Sequence, residues 1–507
     1  MEKKKGRGRH SFSRRELLRG AGVVGLVGVT DCTALLSRAI SPSRPPLYGS
    51  ACPQPSERGW RPKQPPLTTP WTKDVSPENS LPEYPRPQMK RKEWLNLNGV
   101  WQFAAAGPDK SPPVGRDLPD RILVPFPPES ALSGIMRHHA RMFYRRRFIV
   151  PPDWRVAGLG EAEDHQRLLL HFEAVDYQTN VWVNGSFVGT HKGGYDHFTF
   201  DITDALRIDE VHKSRGIQEI IVGVFDPTED GDQPLGKQRV SALDNPDSVL
   251  FYTPTSGIWQ TVWMEPVAAA HIERLVMTPD IPGQSLRLQV HAAHAQHAVV
   301  KATAYDGPHA VGHAAGQTGQ EITLRISTPK LWSPDSPFLY SLRVRLMEPT
   351  EAVESTSSSG REARAQAEDL EPFSDEVESY FGMRSICLSM IDGRSHIVLN
   401  GELAFQLSTL QQGFWPDGIY TAATGFVLGA GVGIATVIIP VYLAEIAPAA
   451  QRGAFTGLFQ VMIYVGVVPR HGVVALAIDV VPELLLHLRP RRDAGRSRHL
   501  SQRALLL

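Results

Sequence analysis

From Trp94 to the middle of the chain the sequence runs in short bursts of β-branched and aromatic residues, separated by Asn, Gly, Asp and Pro, with no useful helical period between residues 94 and 265. "WLNLNGVWQF", "MFYRRRFIV", "RLLLHFEAV", "HFTFDIT" and "EIIVGVFD" each have the length and make-up of a strand. A wound α/β sheet needs helical stretches of about ten residues or more between its strands, and none is present here, so an antiparallel sandwich is expected. In "TNVWVNGSFVG" the pair Asn184-Gly185 divides two alternating runs, and that dipeptide accepts the positive φ angles of a tight hairpin.

A second group follows in "HIERLVMTPDI", "SLRLQVHA", "VVKATAYD", "EITLRIS", "LYSLRVRLM" and "SYFGMRSICLSM", again alternating and at the spacing of an immunoglobulin-like sandwich. It is interrupted by a polar stretch, residues 348–375, expected as a long exposed loop. Residues 31–88, punctuated by "SPSRPP", "RPKQPP" and "LPEYPRP", read as an extended segment without a core of its own. Lys plus Arg and Asp plus Glu both number 53, so no overall field favours a nucleic-acid partner. The three cysteines, Cys32, Cys52 and Cys387, are too scattered for a disulfide framework or a metal knuckle.

Residues 1–30 are a basic leader. Arg14-Arg15, Leu17 and Leu18 precede a weak apolar stretch from Ala21 to Val29, which is similar to a twin-arginine export signal. An Arg-rich organelle transit peptide or a solvated basic arm stays open as an alternative. At the other end, residues 424–444 are 21 uncharged positions, long enough at about 1.5 Å per residue to cross a bilayer. Gly425, Gly429 and Gly433 give that run a small-residue stripe suited to close helix packing in lipid; a buried core helix is the alternative. Residues 454–468 form a shorter apolar run, and residues 469–507 a basic tail. The expected location is exported or membrane-associated, with membrane contact through residues 424–444 and 454–468.

The phrases "LNGVWQF", "VPFPPESALSGI", "FYRRRF", "VWVNGSFVGTHKGGYDHFTFDIT", "SGIWQTVWMEPV", "LWSPDSPFLYSLRV", "YFGMRSI" and "LNGELAFQLSTLQQGFWPDGIYTA" stand in the order found in family 2 glycoside hydrolases, the β-galactosidase, β-glucuronidase and β-mannosidase group, which residues 92–424 resemble. The resemblance implies a mainly β chain: a jelly-roll, galactose-binding-like domain over residues 89–267, an immunoglobulin-like sandwich over 268–392 and the truncated start of a (β/α)8 barrel over 393–424. Residues 425–468 resemble the sugar-porter branch of the major facilitator transporters through Gly429, Gly433, Pro440, Tyr442, Glu445, Pro448 and Arg452-Gly453, with Gln460 where that family often places a hexose-contacting glutamine. One or two hydrophobic helices are expected there. Twelve such helices enclose a transport pathway, and two cannot.

Retaining glycosidases place two carboxyl groups about 5–5.5 Å apart across the scissile bond. In the family both are glutamates on later barrel strands. After Asp417 this chain has only Glu445, Asp479, Glu483 and Asp493, none in a phrase like the family's Asn-Glu pair, so no catalytic residue is identified. Asp417 in "WPDG" is accounted for by turn chemistry. Asp226 matches an Asp that in the family approaches the substrate, in a loop shared with Glu229, Asp230 and Asp232; a solvated acidic loop is the plainer reading. His138, His139, His191 and His197 fit no zinc spacing, and neither a metal nor a cofactor is implied. Trp182, Trp259 and Trp263 are candidate sugar-stacking rings or core aromatics.

The join after Thr424 has no linker and leaves an opening barrel strand unpaired, which is expected of a mis-joined gene model or a recombined locus. Three functions follow: a family 2 glycosidase inert for want of its carboxylates, a non-catalytic carbohydrate-binding protein, or a membrane-tethered sugar-handling protein. Carbohydrate is the expected partner in each, and nucleic acid in none.

Overall fold

A computed structural model describes residues 59–159, 165–208, 216–244, 251–347, 372–403 and 417–418. The expectations for the leader, the apolar runs, the tail and Gln460 lie outside the described residues. The described part is mainly β, and its one α-helical stretch is Ser241–Asp244.

The first sandwich uses twelve strands: β1 Leu95–Asn96, β2 Gly99–Ala105, β3 Asp120–Val124, β4 Arg141–Phe148, β5 Arg167–Phe172, β6 Val175–Asp176, β7 Gln178–Val183, β8 Ser186–Lys192, β9 Phe198–Asp201, β10 Gln218–Phe225, β11 Gly257–Ile258 and β12 Val262–Val267. They form a six-stranded sheet ordered β3-β2-β4-β10-β7-β8, a four-stranded sheet ordered β1-β12-β5-β9, and the short pair β11-β6. Every pairing between these strands is antiparallel. Alternation along β7 sends Thr179, Val181 and Val183 inward and leaves Trp182 half-buried on the outer face. The core between the sheets gathers Trp101, Tyr144, Leu168, Phe172, Val222 and Met264, each contributing roughly 1.5–3 kcal/mol by leaving water.

Between β7 and β8 the hairpin closes in two residues, Val183 pairing with Ser186. Asn184 and Gly185 have φ of 51° and 83°, the doubly left-handed turn that the dipeptide favours. The Asn184 amide nitrogen donates to Ala205 O at 2.9 Å and Gln218 Oε1 at 2.7 Å, and its oxygen accepts from Glu219 N at 2.9 Å.

The second sandwich contains β13 His271–Asp280, β14 Ser285–Ala293, β15 Val299–Asp306, β16 His309–Gln317, β17 Glu321–Arg325, β18 Tyr340–Met347 and β19 Phe373–Phe381. Sheets ordered β13-β14-β17 and β16-β15-β18-β19 enclose Leu286, Leu288, Val300, Leu342, Val344 and Val377. Three further strands, β20 Ile386–Ile391, β21 Arg394–Leu399 and β22 Glu402–Leu403, make a small separate sheet. Leu388 is 72% exposed on it and pairs directly with Ile397, which is also exposed.

The proline-rich lead-in lies along both sandwiches. Trp60 donates from Nε1 to the carbonyls of Leu132 and Ser133 at 3.2 and 3.1 Å, while Lys90 exchanges two backbone hydrogen bonds with Glu378 of β19 at 2.8 and 2.9 Å. Having no core, this segment satisfies its backbone on the domains beside it. Where it passes between them, Arg91 is buried. It donates to both oxygens of Asp375 on β19, to Glu265 Oε1 on β12 at 2.9 Å and to Ile272 O on β13 at 2.6 Å. Arg86 adds a bond to the same Glu265 oxygen at 2.8 Å. Burial pushes the Glu265 carboxyl up, but the Arg91 charge, with His171 and Arg86, brings it down to about 2.

Asp417 does more than shape a turn. Fully buried, its Oδ2 accepts from Thr69 N at 2.7 Å and Thr72 Oγ1 at 2.6 Å, and its carbonyl accepts from Leu132 N at 2.9 Å. Turn chemistry explains the residue types but not this docking onto the first sandwich, because the partners are far away in sequence.

Candidate functional site

The ends of β6 and β10 and the loop after β3 bring three acids together, Asp176, Asp226 and Glu129, beside the β8–β9 loop and the segment before β11. Asp226 follows β10 and its N–H donates to Ala140 O at 2.9 Å. It is only 1% exposed, so the reading of a wholly solvated acidic loop does not hold for it, although Glu229, Asp230 and Asp232 are exposed. Asp226 Oδ1 accepts from Thr228 N at 2.8 Å and Gln233 Nε2 at 2.6 Å, so the loop folds back on its own first acid.

Glu129, in the loop after β3, has a fully buried side chain. Its Oε1 receives the Ser256 hydroxyl and pairs with His138 Nδ1 at 2.9 Å, and its Oε2 accepts from Ser256 N at 3.3 Å. Burial pushes the Glu129 carboxyl up against the pull of His138 and Ser256. Burial pulls His138 down, and Glu129, helped by Asp226 and Glu229, more than reverses it. Serine, histidine and acid here do not make a nucleophilic relay. Such a relay uses opposite nitrogens of the ring for the acid and the hydroxyl, whereas Ser256 and Glu129 both address Nδ1, and Ser256 is fully buried.

Asp176, at the end of β6, is 6% exposed and makes no hydrogen bond through its side chain with any described residue. Burial, then the negative charges of Asp226 and Glu129, push its carboxyl up to about 8. At neutral pH it is therefore mostly a neutral acid able to donate a proton to a hydrogen bond. Its carboxyl lies against Gly194, where a Cβ would come within 2.6 Å of the carboxyl carbon. The Gly194 carbonyl accepts Trp259 Nε1 at 2.7 Å, and the next residue, Tyr195, stands edge-on to Trp259 with ring centroids 5.8 Å apart.

The other sequence candidates scatter. Trp263 is fully buried and stacks on His171 at 4.0 Å; Trp182 packs near Phe187; Trp259 alone of the three stands beside the acids. His191 stacks on Phe198 at 4.1 Å, His139 lies beside Phe103, and His197 is exposed. Among the described residues no group of three or more His, Cys, Asp or Glu is placed to hold a metal ion. Sequence reasoning missed Asp176, Tyr195 and Glu129. The available signal for Asp176 was an acid closing the apolar run "LLLHFEAVD".

With this geometry in view, the described fold and site define a two-sandwich β protein with an acidic loop edge on its first sandwich. Residues 115–226 match the domain described as "Glycosyl hydrolases family 2, sugar binding domain", and residues 270–359 match "Glycosyl hydrolases family 2". Residues 384–476 match "Sugar (and other) transporter", a span that begins just before β20 and takes in the β20–β22 sheet. The chain thus resembles family 2 glycosyl hydrolases through its two sandwiches and sugar transporters in the segment after them.

Among curated relatives, a β-galactosidase of Thermoanaerobacter pseudethanolicus is 24% identical over 52% of this chain and 34% of its own length. A β-glucuronidase of Paenibacillus borealis is 25% identical over 52% of this chain and 44% of its own. A D-xylose transporter of Levilactobacillus brevis is 36% identical over 75 residues, 15% of this chain and 16% of its own. The chain therefore spans less than half the length of these relatives. A solved β-glucuronidase from Ruminococcus gnavus, in complex with D-glucaro 1,5-lactone, aligns with 71% of this chain and 55% of its own at 15% identity and a TM-score of 0.47.

Proposed function

We propose that the two sandwiches are the carbohydrate-facing scaffold of a family 2 retaining β-glycosidase, and that this chain binds a terminal β-linked sugar without hydrolysing it. The observation that carries the reading is the ordered match of both family 2 domains to the two sandwiches, with Asp176 and Asp226 inside the segment matched to the sugar binding domain. The first sandwich corresponds to a jelly roll and the second to an immunoglobulin-like domain.

Inertness follows from chemistry. Asp226 is held by Thr228 and Gln233, and Glu129 by Ser256 and His138, so neither is poised as nucleophile or acid beside a glycosidic bond. The acids after Asp417 stand in no phrase like the family's catalytic pair. Incubating the purified chain with a chromogenic β-galactoside and β-glucuronide tests this: release equal to a protein-free blank is expected, and turnover by the protein overturns it.

A second reading, a membrane-tethered sugar-handling protein, is supported by the transporter match over residues 384–476. It requires carbonate-resistant membrane association that disappears when residues 425–468 are deleted.

A further inference from the structure

We infer that Tyr195, backed by Trp259, is a stacking shelf for one face of an uncharged pyranoside whose hydroxyl groups meet Asp176. This deepens the proposed carbohydrate binding and rests on that reading for the class of ligand.

An exposed aromatic residue is ordinary when it stands alone. Tyr195 is 65% exposed, yet it is held on several sides. Its ring packs against Trp259 with the two planes 71° apart, and its hydroxyl accepts from Gln238 Nε2 at 3.3 Å. Gln238 is itself fixed, because its Oε1 accepts from Thr255 N at 2.6 Å. The backbone beneath the ring is pinned where Trp259 Nε1 reaches the Gly194 carbonyl and where Asp176 fills the space a side chain at Gly194 would take. A ring already immobilised loses little freedom when a sugar settles on it, which is the condition for a flat aromatic surface to bind well.

Beside the shelf lies the unpartnered carboxyl of Asp176. A carboxyl with no protein partner is free to exchange a hydrogen bond with a ligand hydroxyl. The surrounding charge selects among sugars. Asp226 and Glu129 act on Asp176 with negative charge, and Glu229, Asp230 and Asp232 are exposed in the adjoining loop. Three cations stand in the same region, Lys237 over Tyr252 at 5.9 Å, Arg239 over Phe251 at 4.9 Å, and His138 paired with Glu129, so the five acids outnumber them. A uronate carboxylate would enter this edge against like charge, whereas a neutral hexoside would not.

The test titrates the full chain by calorimetry with methyl β-D-galactopyranoside and, separately, with the methyl β-glycoside of glucuronic acid. The galactoside is expected to bind, with the uronide weaker by about tenfold or more. Tyr195→Ala is expected to lower galactoside affinity by about tenfold, and Tyr195→Phe to keep it within about twofold, because stacking needs the ring and not the hydroxyl. Unchanged affinity in Tyr195→Ala, equal or tighter binding of the uronide, or no binding of either glycoside by the wild-type chain overturns the inference. Turnover of the chromogenic substrates refutes inertness and leaves the shelf standing, so the two failures are distinguishable.

Discussion

Arg91 grips Asp375 at two points, Nε to Oδ1 at 2.9 Å and Nη2 to Oδ2 at 2.7 Å, across 284 residues of sequence and across the boundary between the two sandwiches. Asp375 Oδ2 also accepts the Ile272 N–H at 2.7 Å, so the carboxylate is fully engaged. Removing one partner of a buried pair strands the other charge. Asp375→Ala should therefore destabilise the protein by about 3–5 kcal/mol, with the second sandwich melting separately from the first in a calorimetric scan. A loss below about 1 kcal/mol would show that the pair does not join the domains.

Acid should weaken the same joint. The Glu265 carboxyl is brought down to about 2 in the fold, so its contribution is complete above its ordinary value near 4.5 and is lost as pH falls through about 2. His171, brought down to about 4 chiefly by burial, adds a loss that begins as pH drops below its ordinary value near 6.5. Denaturant midpoints should therefore fall steadily from pH 6.5 toward pH 3. His171→Gln should flatten the upper part of that slope, and an unaltered slope would contradict the assignment.

Asp176 acts in the opposite direction. Its carboxyl, pushed up to about 8, is protonated in the fold while the unfolded chain has already ionised above its ordinary value near 3.8. Stability attached to this group is complete below that ordinary value and drains away as pH rises toward about 8. Asp176→Asn should raise stability at pH 7 by on the order of 2 kcal/mol and remove the alkaline decline, while Asp176→Ala should weaken sugar binding. A destabilised Asp176→Asn protein would mean the carboxylate has a partner after all.

Gly194 should tolerate nothing larger. A methyl group there would stand 2.6 Å from the Asp176 carboxyl carbon, so Gly194→Ala should cost about 1–3 kcal/mol. The loss should shrink when Asp176→Ala is added. Additive losses in that double-mutant cycle would place the obstruction elsewhere.

The parts of this molecule legible in the sequence are those governed by near neighbours. Val181 and Val183 point inward because alternation is a property of the strand itself, and Asn184-Gly185 turns because both residues accept positive φ. The candidate site was legible at Asp226 and Trp259, and the burial of Asp226 was not, because it depends on Thr228 and Gln233 closing the loop over it. The raised pKa of Asp176 was out of reach for the same reason. It is set first by burial and then by Asp226 and Glu129, and all three act only when separate loops converge. The role of Arg91 is not legible in the sequence, since nothing in "MKRKEW" announces two buried acids from different domains.

The clasp of Asp417 on Thr69 and Thr72 fixes where the polypeptide leaves the described scaffold. The backbone at residue 417 thus takes its position from the first sandwich, much as a graft takes its position from the rootstock.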